Sequence, residues 1–490
     1  MIAVRRLRTG DPAARRRAVV AGAALAVVAA AAVAAFVHPA VALAGVVGLA
    51  IAPFVLRDVD AAFVGVVAVV MLLPFAAIPL GVGFNPTFLD LALGALYLIW
   101  GMRLVTREQA RLHRPPLTGA VLLFMGLMAT AFVAGLAHGT PTRNQMRVFA
   151  EMLLAAGLFL VVGNLIRDAA GLRRVFLAVA GLGTASAVIG LGLYVLPDAW
   201  QVQILSTLRV VDYPSGPGVL RFINDDPARL QRATGTSIDP NSFGGMLALV
   251  AALALPQLVG HAPLIPRRWA AIMAVCLCAA LLATVSRGSL LGLAAALAVI
   301  GLFRDRRLLV ACLGLGVALV LIAPALPWTA AYVQHFTAGL QNQDRATQMR
   351  MGEFRDAARL IERYPVFGVG FGDPGDVDLY RGVSSLYLII AETMGLVGLA
   401  AFGLLMALLG LRLVRAWLRM PPGGLRAVVL GCLAGLVAAL VSGVFDHYFF
   451  TYPHAAALLW LTVGIGMRAT ELAPAGVGPP AAGGASAGQR

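Results

Sequence analysis

The sequence predicts an all-α, polytopic integral membrane protein of about 12–14 transmembrane helices, with two long outward loops containing amphipathic helices. Of its 490 residues, 60% are hydrophobic and only 12% are charged, more apolar surface than a water-soluble core can hide. The apolar residues recur in runs of about 17–23, each long enough to cross a hydrocarbon layer of about 30 Å. The short loops between the runs are basic on alternate sides only, as the positive-inside rule requires.

A formal net charge of +15 would suggest a nucleic-acid partner in a soluble chain. Here the charge sits in short loops between apolar runs, so membrane lipids are the expected partner and nucleic acid is not. All 38 basic residues are arginine, so the choice of Arg over Lys at a single position carries no information. The four cysteines, Cys276, Cys278, Cys312 and Cys432, lie inside apolar runs and read as small core residues rather than disulfides or metal ligands.

Residues 1–17 form a basic cytoplasmic N-terminus, and the apolar run after it is too long for a signal-peptide core and reads as a retained first helix. The N-terminal helices fill 18–196, with spans near 18–37, 39–56, 61–80, 86–102, 117–137, 146–166 and 174–196. A first long outward loop covers 197–240, and spans near 241–260, 269–286, 288–303 and 308–326 fill 241–326. A second outward loop covers 327–383, followed by C-terminal spans near 384–411, 426–445 and 452–468 within 384–468. The Pro/Gly/Ala/Ser-rich tail, 469–490, is expected to be disordered and cytoplasmic. With the N-terminus inside, the basic loops 103–114, 167–174, 266–268, 304–307 and 412–419 all fall inside.

Arginines nevertheless gather outside: Arg209, Arg221, Arg229 and Arg232 in the first loop, and Arg345, Arg350, Arg355, Arg359, Arg363 and Arg381 in the second. Surface charge explains any one of them more easily than it explains the group, because the rule weakens in long loops. At the stretch RMGEFRDAARLIERYPVFGVGFGD, 350–373, residues 349–364 read as an amphipathic helix at the outer interface. Arg355, Arg359 and Arg363 recur at i, i+4 and i+8 and face water or headgroups, with Met351, Phe354, Ala358 and Ile361 as the apolar face. Arg350 falls with the apolar face, where a charge needs an anionic partner: a structural carboxylate such as Glu353, or a ligand phosphate. Pro365 ends the helix, and Gly368 and Gly370 form a tight turn whose backbone could offer N–H groups to an anion.

The run from Trp269 to Phe303 has 35 residues, about 52 Å as one helix, and basic loops flank both ends. It must cross twice, with Ser286-Arg287-Gly288 at the outer tip. Arg287 then either snorkels to headgroups or binds a buried anion. In TSIDPNSFGG, 236–245, Asp239 followed by Pro240 is a helix-start signature, so Asp239 reads first as a cap. Asp239 and Asn241 lie at the outer rim, near where Arg287 emerges.

In this order, DPNSFGG, SRGSLLG, RMGEFRDAARLIERYPVFGVGFG and SSLYLIIAETMGLVGLAAF resemble the O-antigen ligase and polymerase family of bacterial membrane proteins, over roughly 235–410. The resemblance implies a GT-C-like glycosyltransferase of the bacterial inner membrane, inverting, and using neither metal nor cofactor. It implies a donor glycan carried on undecaprenyl diphosphate at the periplasmic side. The acceptor is either another lipid-linked glycan, in polymerases of O-antigen or exopolysaccharide, or lipid A–core, in the ligases of lipopolysaccharide. Arg287 and Arg350 match the family's two prominent arginines, and the resemblance assigns both to the diphosphate, where guanidinium forks neutralise the leaving group. Asp239, Asn241, Gly368, Gly370 and Tyr387 are expected as supporting or substrate residues, with Ser384 and Ser385 at the corresponding positions before the tyrosine.

The sequence departs from the family at one place. Where a His-Asn pair often precedes the tyrosine, this chain has Ser384-Ser385-Leu386-Tyr387. Serine is no base unaided. The outward alternatives are His335, His447, His454, Asp239, Asp373 and Asp446, with Asp446 or His447 of FDHYFFTYPH, 445–454, as the substitute. An interfacial aromatic belt explains that loop equally well. The missing histidine tilts the expectation from ligase towards polymerase. A small-solute transporter, the rival from another class, would place ionisable residues at mid-depth in matching halves. Here they cluster at outer helix ends, except Glu392, which either pairs with an outer arginine or braces the bundle.

Overall fold

A computed structural model describes residues 58–79, 85–106, 112–304, 345–372 and 382–473, with a few single positions between them. The spans expected near 18–37, 39–56 and 308–326, the tail beyond residue 473, and His335, Asp373 and Arg381 lie outside the described residues. Every other expected span contains a helix. In chain order these are α1 (Val59–Leu72), α2 (Phe88–Val105), α3 (Thr118–Gly135), α4 (Arg143–Leu165) and α5 (Ala169–Tyr194). The first long loop holds α6 (Asp198–Thr207) and a two-stranded antiparallel ribbon of β1 (Arg221–Phe222) and β2 (Gln231–Arg232). There follow α7 (Pro240–Ala254), α8 (Pro256–Val259), α9 (Arg267–Ala283), α10 (Arg287–Arg304) and α11 (Arg345–Arg363). The chain closes with α12 (Leu386–Arg419), α13 (Gly424–Ser442), α14 (Tyr448–Thr451) and α15 (Pro453–Leu472). Among the described residues, nine helices are long and apolar enough to cross a membrane, and the fold is an all-α polytopic one.

Side chains set several helix starts. Thr87 and Thr142 close capping boxes with Asp90 and Gln145. Asp239 caps α7 as expected, accepting the Ser242 N–H at 2.7 Å. Helix α7 is apolar on all sides and buried along nearly its whole length, against α9, α10 and α13. Helices α4, α13 and α15 complete the packed centre.

The bundle has two chemically distinct ends. At one end the basic loops are tied down. Arg468 donates to the Ile166 carbonyl at 2.7 Å and pairs with Glu471 at 2.9 Å. Arg304 donates to the Val259 carbonyl at 2.7 Å, and the Arg426 guanidinium lies 4.2 Å from the Trp417 ring centroid. At the other end, α9 and α10 reverse at 284–286, the turn expected from the length of the run.

Helix α11 corrects one expectation. Its buried positions are Ala357 and Leu360, flanked by partly buried Phe354 and Ile361, whereas Met351 and Ala358 are exposed. The apolar face is rotated because α11 packs against α12 and offers its smaller residues to that contact. Arg355, Arg359 and Arg363 are exposed as expected, and Arg350 stays on the inner side, partly buried.

The GVGFG segment explains a break in α12. That helix kinks at Gly395, φ +69°. The loop docks there: the Val369 N–H donates to the Glu392 carbonyl at 2.9 Å, Gly370 to Thr393 at 3.1 Å, and Leu396 to Pro365 at 2.7 Å. These bonds satisfy backbone that a broken helix would otherwise leave unpaired at membrane depth. The Gly368 N–H donates to the Tyr364 carbonyl at 3.1 Å. The expectation that Gly368 and Gly370 could offer N–H groups to an anion is therefore corrected: these donors are used within the fold. Glu392 braces the same region, accepting the Gly382 N–H at 3.3 Å.

Candidate functional site

Arginines from three separate segments meet in one pocket at the loop-rich end of the bundle. Arg232 comes from β2, Arg287 opens α10, and Arg350 comes from the first half of α11. Asn241, Ser286, Ser289, Asp446 and Tyr448 line the same cavity of about 80 Å³, room for one phosphate-sized group. Two helix N-termini, those of α7 and α10, open beside it, and their partial positive charge adds to that of the guanidinium groups.

Local structure holds each arginine differently. Arg232 is rigid: its Nε donates to the Thr284 carbonyl at 2.9 Å and its Nη2 to Asn241 Oδ1 at 2.6 Å. The neighbouring Ala233 N–H bonds the Ala283 carbonyl at 2.8 Å, which stitches the ribbon to the end of α9. Arg287 follows Val285, whose φ of +53° is an outlier for a β-branched residue. Ile238, one residue before the α7 cap, is another, at φ +59°. Such residues cost about 1–3 kcal/mol each and persist where the surroundings over-determine the backbone. The Ser286 and Ser289 hydroxyls lie 2.9 Å apart, and Ser289 lies 3.4 Å from the buried Tyr448 hydroxyl. Arg350 forms no ion pair within 4 Å among the described residues; Glu353, its candidate structural partner, instead accepts the Ser384 N–H at 2.9 Å.

The electrostatics are those of a crowded cationic site. Burial pulls the Arg232 guanidinium down to about 10; the charges of Asp239 and Asp446 oppose that shift, and those of Arg350 and Arg287 add to it. Arg232 remains a cation at neutral pH. Burial pushes the Asp446 carboxyl above the ordinary range, with Asp239 adding to the rise and His447 and Arg350 holding it back. Three guanidinium groups against two carboxylates leave an excess positive charge that an anion would neutralise.

Of the residues singled out in the sequence, Arg287, Arg350, Asn241 and Asp446 come together in the pocket, with Asp239 in its second layer as the α7 cap and a charge on Arg232. Others do not join them. His447 turns its Nδ1 to the Thr451 hydroxyl and is absent from the lining. His454 faces the Ser242 hydroxyl at 3.3 Å. Ser384, Ser385 and Tyr387 are also outside it: Ser385 is buried at the start of α12, and the Tyr387 hydroxyl donates to the Leu440 carbonyl at 2.8 Å. Tyr387 supports the α12–α13 contact and Ser384 the contact with α11 rather than lining the cavity.

Sequence reasoning left Arg232 among the outer-loop arginines and did not single out Tyr448. The signal for Arg232 is its position, seven residues before Asp239, on the approach to a capped helix. Arg209 and Arg229, by contrast, are exposed surface charges.

Comparison with curated proteins gives no match. Residues 271–403 match the model of the family described as O-antigen ligase, a segment that includes the α9–α10 reversal with Arg287, the α11 helix with Arg350 and the kinked half of α12. The chain is a multi-pass membrane protein that carries, over residues 271–403, a segment similar to the O-antigen ligase family.

Proposed function

We propose that the chain polymerises repeat units of O-antigen or another surface polysaccharide, transferring an undecaprenyl-diphosphate-linked glycan on the periplasmic side of the inner membrane. The observation that carries this reading is the meeting of Arg232, Arg287 and Arg350 in one phosphate-sized cavity beside Asp446. The positive-inside rule puts the basic-loop end in the cytoplasm and so the arginine pocket at the periplasmic face.

The chemistry follows from the charges. An acceptor hydroxyl oxygen attacks the anomeric carbon of the donor glycan from the face opposite the diphosphate. The bond from that carbon to the phosphate oxygen breaks, and the lipid diphosphate leaves with the electron pair. Arg287 and Arg350 neutralise the developing charge as forked donors, and Arg232 fixes the pocket wall behind them. The hydroxyl proton passes to the Asp446 carboxylate, whose raised pKa makes it a better base than a solvated aspartate. Asp446 thus stands in for the histidine that the Ser384-Ser385 pair replaces, and His447 is assigned the positioning of that loop.

Polymerase is favoured over ligase because the ligase-like His-Asn pair is missing and its replacement lies away from the pocket. The test is the profile of lipid-linked glycans in a strain lacking the gene. A polymerase leaves single repeat units on the lipid diphosphate. Long polymer on the lipid with bare lipid A–core would identify a ligase instead, and an unchanged profile would end both readings.

A further inference from the structure

Next to the arginine pocket lies a much larger cavity, about 600 Å³, within the size range of pockets that enclose small-molecule ligands. It is walled by the end of α1, the start of α2, the outer half of α4, and the turn from α14 into α15. Its chemistry is the inverse of its neighbour's. Glu151, only 2% exposed, forms the floor; Arg147 pairs with it at 2.9 Å and reaches Asp90 at 3.5 Å. Asp212 stands at the exposed rim, accepting from Asn85 Nδ2 at 2.7 Å, with Asn144 nearby. Arg147 is the one arginine in the lining, set against the carboxyl groups of Glu151 and Asp212, so the cavity lacks the cationic excess that draws a diphosphate. Its side chains suit hydroxyl groups, and one wall is aromatic: Phe75 packs edge-on against Tyr452 with ring centroids 5.7 Å apart. The Tyr452 hydroxyl has no hydrogen-bond partner among the described residues.

One short segment contributes to both cavities: Asp446 and Tyr448 line the arginine pocket, and Thr451 and Tyr452 line the larger cavity, all within the seven residues 446–452. Burial raises the Tyr452 hydroxyl pKa, and the charges of Asp239 and Asp446 raise it further, so Tyr452 lies within electrostatic reach of the proposed base.

We infer that this cavity is the acceptor subsite: it holds the neutral, hydroxyl-rich end of the acceptor glycan and presents one hydroxyl to Asp446 across the 446–452 turn. The arginine pocket then draws the diphosphate, and the larger cavity, with no cationic excess, is left to the neutral sugar. This assignment rests on the glycosyltransferase reading above, but it makes a claim about binding that stands without turnover.

The probe is the repeat-unit oligosaccharide released from the host's own lipid-linked pool by mild acid, which carries no lipid and no phosphate. Its binding to the purified full-length protein in nanodiscs is measured directly, beside transfer assays at varied acceptor concentration. The wild type is expected to bind it. Tyr452→Phe combined with Asn144→Ala is expected to weaken binding and raise the acceptor KM about tenfold, the loss of one or two hydrogen bonds, with the donor KM unchanged. Both changes keep the Arg147–Glu151 ion pair itself, although Asn144→Ala removes an acceptor for Arg147 at 2.9 Å, so Tyr452→Phe alone is measured beside the double variant and must shift acceptor KM in the same direction. Wild-type protein that does not bind the oligosaccharide, or a variant whose acceptor KM is unmoved or whose donor KM rises instead, overturns the inference. Binding without any transfer would instead remove the glycosyltransferase reading and leave the sugar site standing.

Discussion

Arg232, Arg287 and Arg350 differ in what they have left to give. Arg232 is engaged by Thr284 and Asn241, so its role is to hold the wall, whereas Arg350 has no ion-pair partner within 4 Å among the described residues. Arg350→Ala and Arg287→Ala are each expected to lower transfer by about 10²–10³-fold, the cost of losing one preorganised donor to a developing anion. Arg350→Lys keeps the charge but loses the fork and should recover only part of the rate. Arg359→Ala, an exposed stripe residue, should leave transfer unchanged. Initial rates on protein shown to be inserted check all four. Asp446 supplies a pH test. A base works only when deprotonated, so activity rises with pH through its pKa. Because that pKa is raised, the acidic limb of the rate profile should sit above the usual aspartate range of about 4. Asp446→Asn should cost about 10²–10⁴-fold and abolish that limb. At this scale the sequence located Arg287 and Arg350 through chain length and helical phase. It could not show that Arg232 turns into the same cavity, because that depends on two-residue strands too short to display a period of two.

The elements explain why the pocket keeps its shape. Helix α7 starts at the pocket, and at Gly245 it passes so close to the buried Tyr448 ring that an added Cβ would lie 2.1 Å from its hydroxyl. The kink of α12 depends on Gly368, φ +67°, where a Cβ would come within 2.4 Å of the Glu392 carbonyl oxygen. Gly368→Ala is therefore expected to destabilise the α11–α12 junction by roughly 1–3 kcal/mol, seen as a lower unfolding temperature in detergent. An unchanged melting profile would mean that the docked loop is not structural. Caps and the α9–α10 reversal were legible because they are local: Asp-Pro starts a helix, and a 35-residue run between basic loops must fold back. The buried face of α11 was not legible, since a helix that packs on a neighbour buries its small Ala357 rather than its larger Met351. Nor was the break in α12, because Gly395 within an apolar run gives no sign of the loop that docks against it.

Across the described residues, charge sorts to two ends: scattered basic loops tied to backbone carbonyls at one, and a converging arginine pocket at the other. Sidedness makes a clean prediction. In a background without the four native cysteines, Arg359→Cys should react with a membrane-impermeant thiol reagent from the periplasm, and Arg415→Cys only after the inner membrane is opened. The reverse pattern would invert the topology and the site with it. Composition alone made the membrane fold legible, whereas the site required tertiary structure, since residues 232 to 446 span more than two hundred positions before they meet.

The most direct test of the central claim uses purified protein in nanodiscs and a lipid-diphosphate-linked repeat unit as both donor and acceptor. Wild-type protein should lengthen the glycan and release one lipid diphosphate per bond formed, while folded Arg350→Ala protein does neither. Full polymerisation by the Arg350→Ala variant would contradict the assignment of the arginine pocket to the leaving group.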